Sequence, residues 1–280
     1  MSDKNVPNNV PDLPDALVQS VKEGKCAVFV GAGLSARAGY PSWRALLETL
    51  VKKCLSMQEI TDAKAREIEQ LLKDPDKYLM VAEELREDMG EEQFVEELVR
   101  IFEEPKAVTE VHKQLPQIPF SLAMSTNYDM LLKNTYAKAF DSVPKSYTND
   151  RARDFADSLW SGEFFILKAH GDVHHSSSLV ITERDYRRKI YAAAGYRALM
   201  SAIFTTKTVL FLGVGLNDPE LKLFLSYLHD AFYGRGPMHY ALVPQDEFSD
   251  TVTSRWRKDY RVQCLRYAAT AGHPEVEAFL

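Results

Sequence analysis

Residues 26–36 read Cys-Ala-Val-Phe-Val-Gly-Ala-Gly-Leu-Ser-Ala, and this stretch decides the fold of the chain. An apolar run of strand length ends in a glycine turn, which is the pattern of a buried strand entering a helix over a diphosphate. We expect Gly31 to allow the tight turn, Gly33 to let the backbone approach a phosphate, and Ala36 to let the helix pack on the strand. The N–H groups that open such a helix have no partner within it, so they can receive an anion. Taken alone, the turn also fits a purely structural role.

The composition of the 280-residue chain, with 45% hydrophobic and 26% charged residues, is that of a globular protein with a substantial core. Its net charge of −6 leaves no excess of Lys and Arg to displace counterions, so we expect no direct nucleic-acid binding. No apolar run approaches the roughly 18 residues of a membrane span. Residues 1–5 also lack the pattern of a secretory signal. These features predict a cytoplasmic protein without membrane contact.

The cysteines and paired histidines do not predict a metal site or a disulfide. Cys26, Cys54 and Cys264 are odd in number, widely spaced and set among apolar neighbours, as small buried hydrophobes are. No Cys-x-x-Cys pair is present, which excludes a zinc site of four cysteines. His174 and His175 are adjacent, and adjacent residues seldom ligate one ion. We therefore predict no metal.

Hydrophobic patterning extends the fold beyond the glycine turn. Residues 1–12 have the composition of a flexible leader, and residues 13–280 are predicted to form a single domain. Further apolar runs of strand length lie at residues 120–125, 164–168, 208–212, 239–243 and 261–265. Such strands, alternating with helices, predict an α/β fold: a Rossmann-like parallel sheet with helices on both faces.

A helical insertion is predicted at about residues 55–110. Pro41 breaks the helix that follows the glycine turn, and Ser42 is placed to cap the next one. From about residue 60 to residue 103, apolar residues recur at helical spacing while Glu and Lys fill the other faces. A nicotinamide dehydrogenase would instead have a second strand ending in an acidic residue roughly 20 positions past the glycines. Here that position falls inside a helix, so the dehydrogenase pattern is missing.

Polar residues follow several of the predicted strands. These groups are residues 126–129 (Thr-Asn-Tyr-Asp), 170–172 (His-Gly-Asp) and 213–218 (Gly-Val-Gly-Leu-Asn-Asp). Open α/β sheets bind ligands at the carboxyl ends of their strands, so we expect these groups and the glycine turn to converge on one crevice. Between them, the stretch from Thr182 to Tyr186, with Asp185, resembles a helix cap that shapes the loop over the ligand, and a structural role is favoured there.

Four motifs, in this order and in this strand context, resemble the sirtuin-like domain of bacterial antiphage-defence NAD hydrolases. They are G-A-G-x-S at 31–35, T-N-Y-D at 126–129, K-x-H-G at 168–171 and G-x-G-x-x-D-P at 213–219. The resemblance extends from about residue 13 to the last residue. It implies a Rossmann-like domain, without a zinc ribbon, that binds NAD and cleaves the bond between nicotinamide and ribose.

The motif match implies a role for individual residues. Asn127 and His170 correspond to the family's catalytic Asn and His. The residues expected to bind NAD are Gly31, Ala32, Gly33, Ser35, Trp43, Thr126, Asp129, Gly213, Gly215 and Asp218. The glycine turn would hold phosphate, Asp129 would lie near nicotinamide and ribose, and Gly213 and Gly215 near adenosine. Trp43 and Tyr40 fit a pocket wall or the core equally well.

The chemistry of these side chains is consistent with the resemblance. Loss of nicotinamide passes through an oxocarbenium-like ribose, so the site needs a polar group for the carboxamide and a base for water or a ribose hydroxyl. Asn127 carries a donor and an acceptor on one short arm, and His170 is the side-chain type that titrates nearest neutrality. Either residue also fits a structural role in a turn. Deacylating sirtuins add a zinc ribbon of two Cys-x-x-Cys pairs, which is missing here, so water is the favoured acceptor.

The leading hypothesis is an NAD glycohydrolase that yields nicotinamide and ADP-ribose, with NAD as its substrate. The alternatives are a module that binds NAD or ADP-ribose without cleaving it, and an NAD-dependent protein deacylase. An unrestrained NAD hydrolase would poison its host, so we expect an antiphage effector that stays inactive until triggered. Control would come from a homo-oligomer, with residues 55–110 contributing to self-association, and from a sensor or ATPase partner. That partner would be a separate chain, or this chain is part of a longer protein.

Overall fold

Seven parallel strands form the central sheet in the computed structural model, which describes residues 10–216 and 218–280. The strands are β1 (Cys26–Val30), β2 (Ala123–Ser125), β3 (Lys145–Thr148), β4 (Phe165–Lys168), β5 (Thr208–Leu212), β6 (His239–Pro244) and β7 (Val262–Tyr267). Their order is β3-β4-β2-β1-β5-β6-β7, and every neighbouring pair is parallel. The predicted parallel α/β sheet is confirmed. Most of the predicted leader, and Asn217, lie outside the described residues.

Alternate residues of the central strand β1 enter two different cores. Ala27 and Phe29 belong to the cluster on one face of the sheet, and Cys26, Val28 and Val30 belong to the cluster on the other. All of these side chains are buried. Burial on both faces is the reason that the strands of a parallel sheet are apolar throughout.

The edge strand β3 was missed by the sequence analysis. Its sequence is Lys-Ser-Tyr-Thr, and Lys145 is exposed, so no apolar run marks it. It pairs only with β4, at the end of the sheet. Short edge strands with charged residues are common because they bury less side-chain surface and resist pairing with other chains. Hydrophobicity alone therefore gave no signal for this strand.

Helices cover both faces of the sheet. They are α1 (Asp15–Lys22), α2 (Ala32–Arg37), α3 (Trp43–Ser56), α4 (Asp62–Leu71), α5 (Tyr78–Met89), α6 (Glu91–Glu103), α7 (Glu110–Gln114), α8 (Leu131–Phe140), α9 (Ala152–Ser161), α10 (Glu183–Asp185), α11 (Ala194–Thr206), α12 (Pro219–Ala231), α13 (Asp250–Tyr260) and α14 (Pro274–Phe279). Helices α9, α11, α12 and α13 pack on one face, and α1, α7, α8 and α14 on the other. In the described part of the chain, none of these helices is long and apolar enough to cross a membrane.

Helices α3 to α6 build a third hydrophobic cluster beside the sheet. Ser42 caps α3 as predicted, because its Oγ accepts a hydrogen bond of 3.2 Å from the backbone N–H of Ala45. The same cluster includes Tyr128 from the loop after β2 and Val173 from the loop after β4. The helical segment therefore supports two of the loops that follow the strands. The domain boundaries at residues 12 and 55–110 stay predictions.

The glycines after β1 are needed for a close contact with the loop after β5. A Cβ on Gly31 would lie 2.4 Å from the carbonyl oxygen of Gly213, and one on Gly33 would lie 3.0 Å from the Gly213 Cα. Gly213 has a φ of +61°, and a Cβ there would lie 2.7 Å from the backbone nitrogen of Leu34. Gly33 and Gly213 thus let the loop after β1 pack directly on the loop after β5. The motif alone had suggested that Gly33 makes room for a phosphate.

Replacing Gly31 by alanine is expected to lower the free energy of unfolding by about 1–3 kcal/mol, because the new methyl group must displace backbone atoms of the β5 loop. Gly215→Ala is the matched control, since a Cβ at Gly215 meets no atom within 4 Å. We expect the control to change the unfolding free energy by less than about 0.5 kcal/mol. Urea unfolding of both variants measures the difference, and equal effects would rule out the steric explanation.

Candidate functional site

A cavity of about 370 Å³ lies where the loops after β1, β2, β4 and β5 meet. The loops after β2 and β4 lie on one side of β1 and the loop after β5 on the other, so the cavity sits at the switch point of the sheet. Its volume falls within the roughly 300–1,000 Å³ of small-molecule sites. Helices α3 and α5 and the end of α6 supply an apolar wall.

Most of the residues predicted to form the site line this cavity. They are Gly31, Ala32, Ser35, Trp43, Thr126, Asn127, Asp129, His170, Gly215 and Asp218. Gly33 and Gly213 do not line it, because both are used in the contact between the two loops. Residues from strand ends far apart in the chain are thus brought into one wall, as the parallel sheet requires.

Several lining residues were not singled out from the sequence. They are Pro75, Asp76, Tyr78, Leu79 and Phe102 from the helical segment, with Val180 and Tyr186 from the segment after β4. Tyr40, which was left between pocket and core, lines the cavity and is also buried, and its hydroxyl donates to the carbonyl oxygen of Glu104 at 2.9 Å. Tyr186 directly follows the predicted cap at Thr182–Asp185, which is the one local signal for any of these positions.

The side chain of Asn127 is held in one orientation. Its Nδ2 donates to the carbonyl oxygen of Gly31 at 3.0 Å and to Ser35 Oγ at 2.7 Å. A carbonyl oxygen only accepts, so the nitrogen must be the atom on this side. The other atom, Oδ1, is buried and has no hydrogen-bond partner among the described residues. The fold therefore leaves an acceptor unused on a side chain that lines the cavity, and such an atom is costly unless a ligand or water satisfies it.

Ser35 and Asp129 hold Asn127 in place. Ser35 Oγ donates to Asp129 Oδ2 at 2.6 Å while it accepts from Asn127. The second carboxylate oxygen of Asp129 accepts from the backbone N–H of Leu131 at 2.9 Å, near the start of α8. All three side chains are buried. A chain of hydrogen bonds thus joins the loops after β1 and β2.

His170 lies on the cavity wall with only 6% of its surface exposed. Its ring packs edge-on against the ring of Tyr186, with 5.4 Å between the centroids. Its Nε2 is 3.8 Å from Asp218 Oδ2, in the loop before α12. The imidazole therefore has an aromatic neighbour and a carboxylate neighbour, each from a different element.

The loop that carries His170 is held by a close backbone contact at Gly171 and by the side chain of Asn149. Gly171 has a φ of +90°, and a Cβ there would lie 2.3 Å from the carbonyl oxygen of Ser178, so this position requires glycine. Asn149, which follows β3, donates from Nδ2 to the carbonyl oxygens of Ala169 and Ser178, each at 2.8 Å. The edge strand that the sequence did not reveal thus positions the histidine loop.

Lys168, the last residue of β4, joins the loops after β2 and β4. Its side chain is buried, and its ammonium donates to the carbonyl oxygens of Tyr128 at 2.9 Å and Asp129 at 2.7 Å. Asp172 Oδ2 lies 3.3 Å away and provides a counter-charge. Burial lowers the pKa of the Lys168 ammonium, and the nearby carboxylates oppose that shift. Lys168 therefore sets the spacing between Asn127 and His170 without lining the cavity.

The segment after β4 is tied to the helical segment at a charged contact. Thr182 and Asp185 form the predicted capping box, and Asp185 Oδ2 accepts from the backbone N–H of Ile181 and from Arg86 Nη1 at 2.8 Å. A π-helix, Tyr186–Tyr191, follows at once. Such helices are rare and often mark functional sites. Here the π-helix begins with the tyrosine that packs on His170.

The amides of the glycine turn are less available than the motif implied. The N–H of Gly31 donates to the carbonyl oxygen of Leu212, that of Gly33 to Gly213, and that of Leu34 to Gly31. Three donors expected to face an anion are therefore used inside the protein. The prediction of open amides is wrong at these positions, because strand β5, the loop after it and the turn itself each accept one of these hydrogen bonds.

The described residues do not show the pattern of a metal site. Within residues 10–216 and 218–280, no three His, Cys, Asp or Glu side chains are arranged to hold a metal ion. His175 instead pairs with Asp150, whose Oδ2 is 3.2 Å from Nε2. Cys26 and Cys54 are buried as predicted, and Cys264 is half-buried.

The chain is similar to several bacterial proteins over most of its length. It is 29% identical over 231 residues to the NAD(+) hydrolase ThsA of Bacillus cereus (strain MSX-D12), covering 82% of this chain and 45% of that protein. It is 29% identical over 230 residues to the NAD(+) hydrolase ThsA of Acinetobacter baumannii (strain 532279), covering 81% and 44%. Against the Defense-associated sirtuin 2 of Bacillus subtilis the identity is 25%, over 79% of this chain and 21% of that protein.

The likeness covers most of this chain but only part of each relative. The chain spans less than half the length of each of these relatives. The SIR2-like domain family matches residues 121–265, which is just over half of the chain and includes β2 to β6 and most of the site loops. The resemblance drawn from the motifs is confirmed. With this parallel sheet and this match, the chain belongs to the SIR2-like domain family.

Proposed function

We propose that this chain hydrolyses NAD to nicotinamide and ADP-ribose. In that reaction the bond between nicotinamide nitrogen and ribose carbon breaks, the oxygen of water bonds to that carbon, and one proton is released. The observation that carries the proposal is the unused Oδ1 of Asn127, whose side chain lines the same cavity as His170. An amide acceptor beside a titratable side chain is what the bond cleavage needs.

Each group has a definite part in the proposed reaction. Asn127 Oδ1 would accept a hydrogen bond from the nicotinamide carboxamide, a ribose hydroxyl or the attacking water, while Ser35 and Gly31 hold its nitrogen. His170 would take the proton from water or a ribose hydroxyl. Asp129 supports Ser35, so its first task is to orient Asn127. Because both acting side chains are buried on the cavity wall, their charges and dipoles are little screened by water.

The remaining predicted contacts are part of the same proposal. Gly31, Ala32, Thr126 and Gly215 would lie along the dinucleotide, and Trp43 on the apolar wall would contact one of its rings. Gly33 and Gly213 would act indirectly, by keeping the two loops in contact. No metal has a part in the proposed reaction.

The relatives support this reading. Several are named NAD(+) hydrolase, and one is named as defence-associated. We infer that this chain is a cytoplasmic antiphage effector that depletes NAD on activation. Its restraint would come from a homo-oligomer, in which residues 55–110 contribute to self-association, and from a sensor or ATPase partner. Light scattering at micromolar concentration tests the oligomer, and a monomer there would contradict it.

The decisive experiment incubates the purified chain with NAD, with and without an acetylated peptide, and measures nicotinamide. We expect release that does not depend on the peptide. Release only with peptide would indicate a deacylase. Absence of release together with a rise in melting temperature on adding NAD would indicate a binding module, or a hydrolase that needs its activator. Purified candidate partners added to the same assay separate those last two cases.

A further inference from the structure

Asp218 connects three elements of the site at one carboxylate. Its Oδ1 accepts a hydrogen bond of 3.0 Å from the backbone N–H of Leu221, which caps α12. Its Oδ2 accepts from the hydroxyl of Tyr186 at 3.1 Å, and the same oxygen is 3.8 Å from His170 Nε2. The carboxylate side chain is 19% exposed and lies on the cavity wall.

These contacts hold the carboxylate in one position. One oxygen is fixed by the backbone of α12, and the other is fixed by Tyr186, whose ring also packs on the imidazole. The carboxylate cannot turn away from His170 without losing a cap or a hydroxyl contact. Caps of this kind stabilise a helix by about 0.5–2 kcal/mol, so α12 itself opposes such a rotation.

The charges around His170 make Asp218 the carboxylate that acts on it. The titratable groups that line the cavity or adjoin His170 in the chain include Tyr186 on the π-helix, Asp129 after β2, Lys168 and Asp172 at the end of β4, and Asp218 before α12. Asp129 is engaged by Ser35 and Leu131, and Lys168 is engaged by two carbonyl oxygens and Asp172. An opposite charge within about 4–6 Å favours the protonated form of a histidine.

We propose that Asp218 is the positioning residue for His170, which holds the imidazole and stabilises its cationic form when it takes a proton. This inference rests on the proposed hydrolase, and it changes the part expected for Asp218 from the motif alone. One proton moves from water or a ribose hydroxyl to the imidazole, while the Asp218 carboxylate stays ionised. The arrangement resembles in its logic a carboxylate that orients a catalytic histidine in other hydrolases.

The test removes the charge of Asp218 and keeps the size of its side chain. Asp218→Asn keeps one oxygen for the α12 cap, because Asn is as good a cap as Asp, and its amide nitrogen can donate to the hydroxyl oxygen of Tyr186. Without the negative charge, the pKa of His170 should fall by about 1 unit, measured by NMR titration of labelled histidine. His170→Gln identifies the signal by its loss. Asp230→Asn is the matched control, since Asp230 is exposed near the other end of α12 and should leave the pKa unchanged.

Activity provides a second readout with a definite sign. A base works only when deprotonated, so nicotinamide release rises with pH through the pKa of His170. In Asp218→Asn that acid limb of kcat/KM should move to lower pH by about 1 unit, while the plateau of kcat falls by up to about 10-fold because the base is weaker. A residue that only binds ribose would raise KM and leave the acid limb in place.

The two readouts separate the possible failures. An unchanged His170 pKa in folded Asp218→Asn overturns the proposal, and so does an acid limb that stays fixed while the pKa moves. The NMR titration needs no turnover. A wild-type chain that releases no nicotinamide even with candidate partners added would therefore contradict the proposed hydrolase, while the titration still decides whether Asp218 acts on His170.

Discussion

His170→Ala and Asn127→Ala should each lower the rate of nicotinamide release from NAD by about 100-fold to 10,000-fold, the usual contribution of general acid–base catalysis. For His170 the reason is loss of the only imidazole on the cavity wall among the described residues. For Asn127 it is loss of the buried Oδ1 acceptor, on a side chain that Ser35 and Gly31 hold in one orientation. The measurement is nicotinamide release at saturating NAD, beside a thermal melt of each variant.

Two matched substitutions control for nonspecific effects. His174→Ala removes an exposed imidazole from the same loop, and Asn134→Ala removes an exposed amide from α8. Neither lines the cavity, so both should retain wild-type rates. Because Asn127 is buried, its alanine variant must melt cooperatively before its rate is interpreted. A folded Asn127→Ala or His170→Ala that keeps more than about a tenth of the wild-type rate would remove that residue from the proposed mechanism.

Lys168→Met is expected to lower the free energy of unfolding by about 3–5 kcal/mol, as removal of one partner of a buried ion pair does. The methionine fills similar space, but it leaves the carbonyl oxygens of Tyr128 and Asp129 without their donor and Asp172 without its counter-charge. Since whole domains are stable by only about 5–15 kcal/mol, the effect is large. Urea unfolding at neutral pH measures it.

A second variant keeps this prediction testable if the first fails to fold. Lys168→Met combined with Asp172→Asn removes the orphaned charge as well, so it should regain part of the lost stability. Lys138→Met, at an exposed position of α8, is the control and should change the unfolding free energy by less than about 0.5 kcal/mol. Equal stability of Lys168→Met and the wild type would show that the ammonium is not needed to join the two loops.

The positions of most strands, two helix caps and the polar residues that follow the strands could be predicted from local sequence. A parallel strand is buried on both faces, so residues 26–30, 208–212 and 239–243 are apolar runs that stand out from their surroundings. The cap at Ser42 and the capping box at Thr182–Asp185 were equally visible, because both depend on residues three positions apart. The polar groups after the strands could also be predicted, because each directly follows an apolar run in the sequence.

What only the tertiary structure decided is how those groups meet. Ser35 bonds Asp129 across 94 positions of sequence, Tyr186 reaches Asp218 across 32, and Lys168 reaches Tyr128 across 40. Such contacts depend on the order of strands in the sheet, which no local pattern specifies.

The same dependence explains the differences between sequence and structure. The glycine turn was expected to offer free amides, but the loop after β5 packs on it and accepts from Gly33, while Gly31 and Leu34 donate to Leu212 and to the turn itself. β3 was missed because an edge strand buries too little surface to need an apolar run. By itself, the sequence determined which segments are buried and which side chains end the strands, since burial and capping act over a few residues. Only the fold decided which of those side chains hold one another in place, since that depends on distances between segments far apart in the chain.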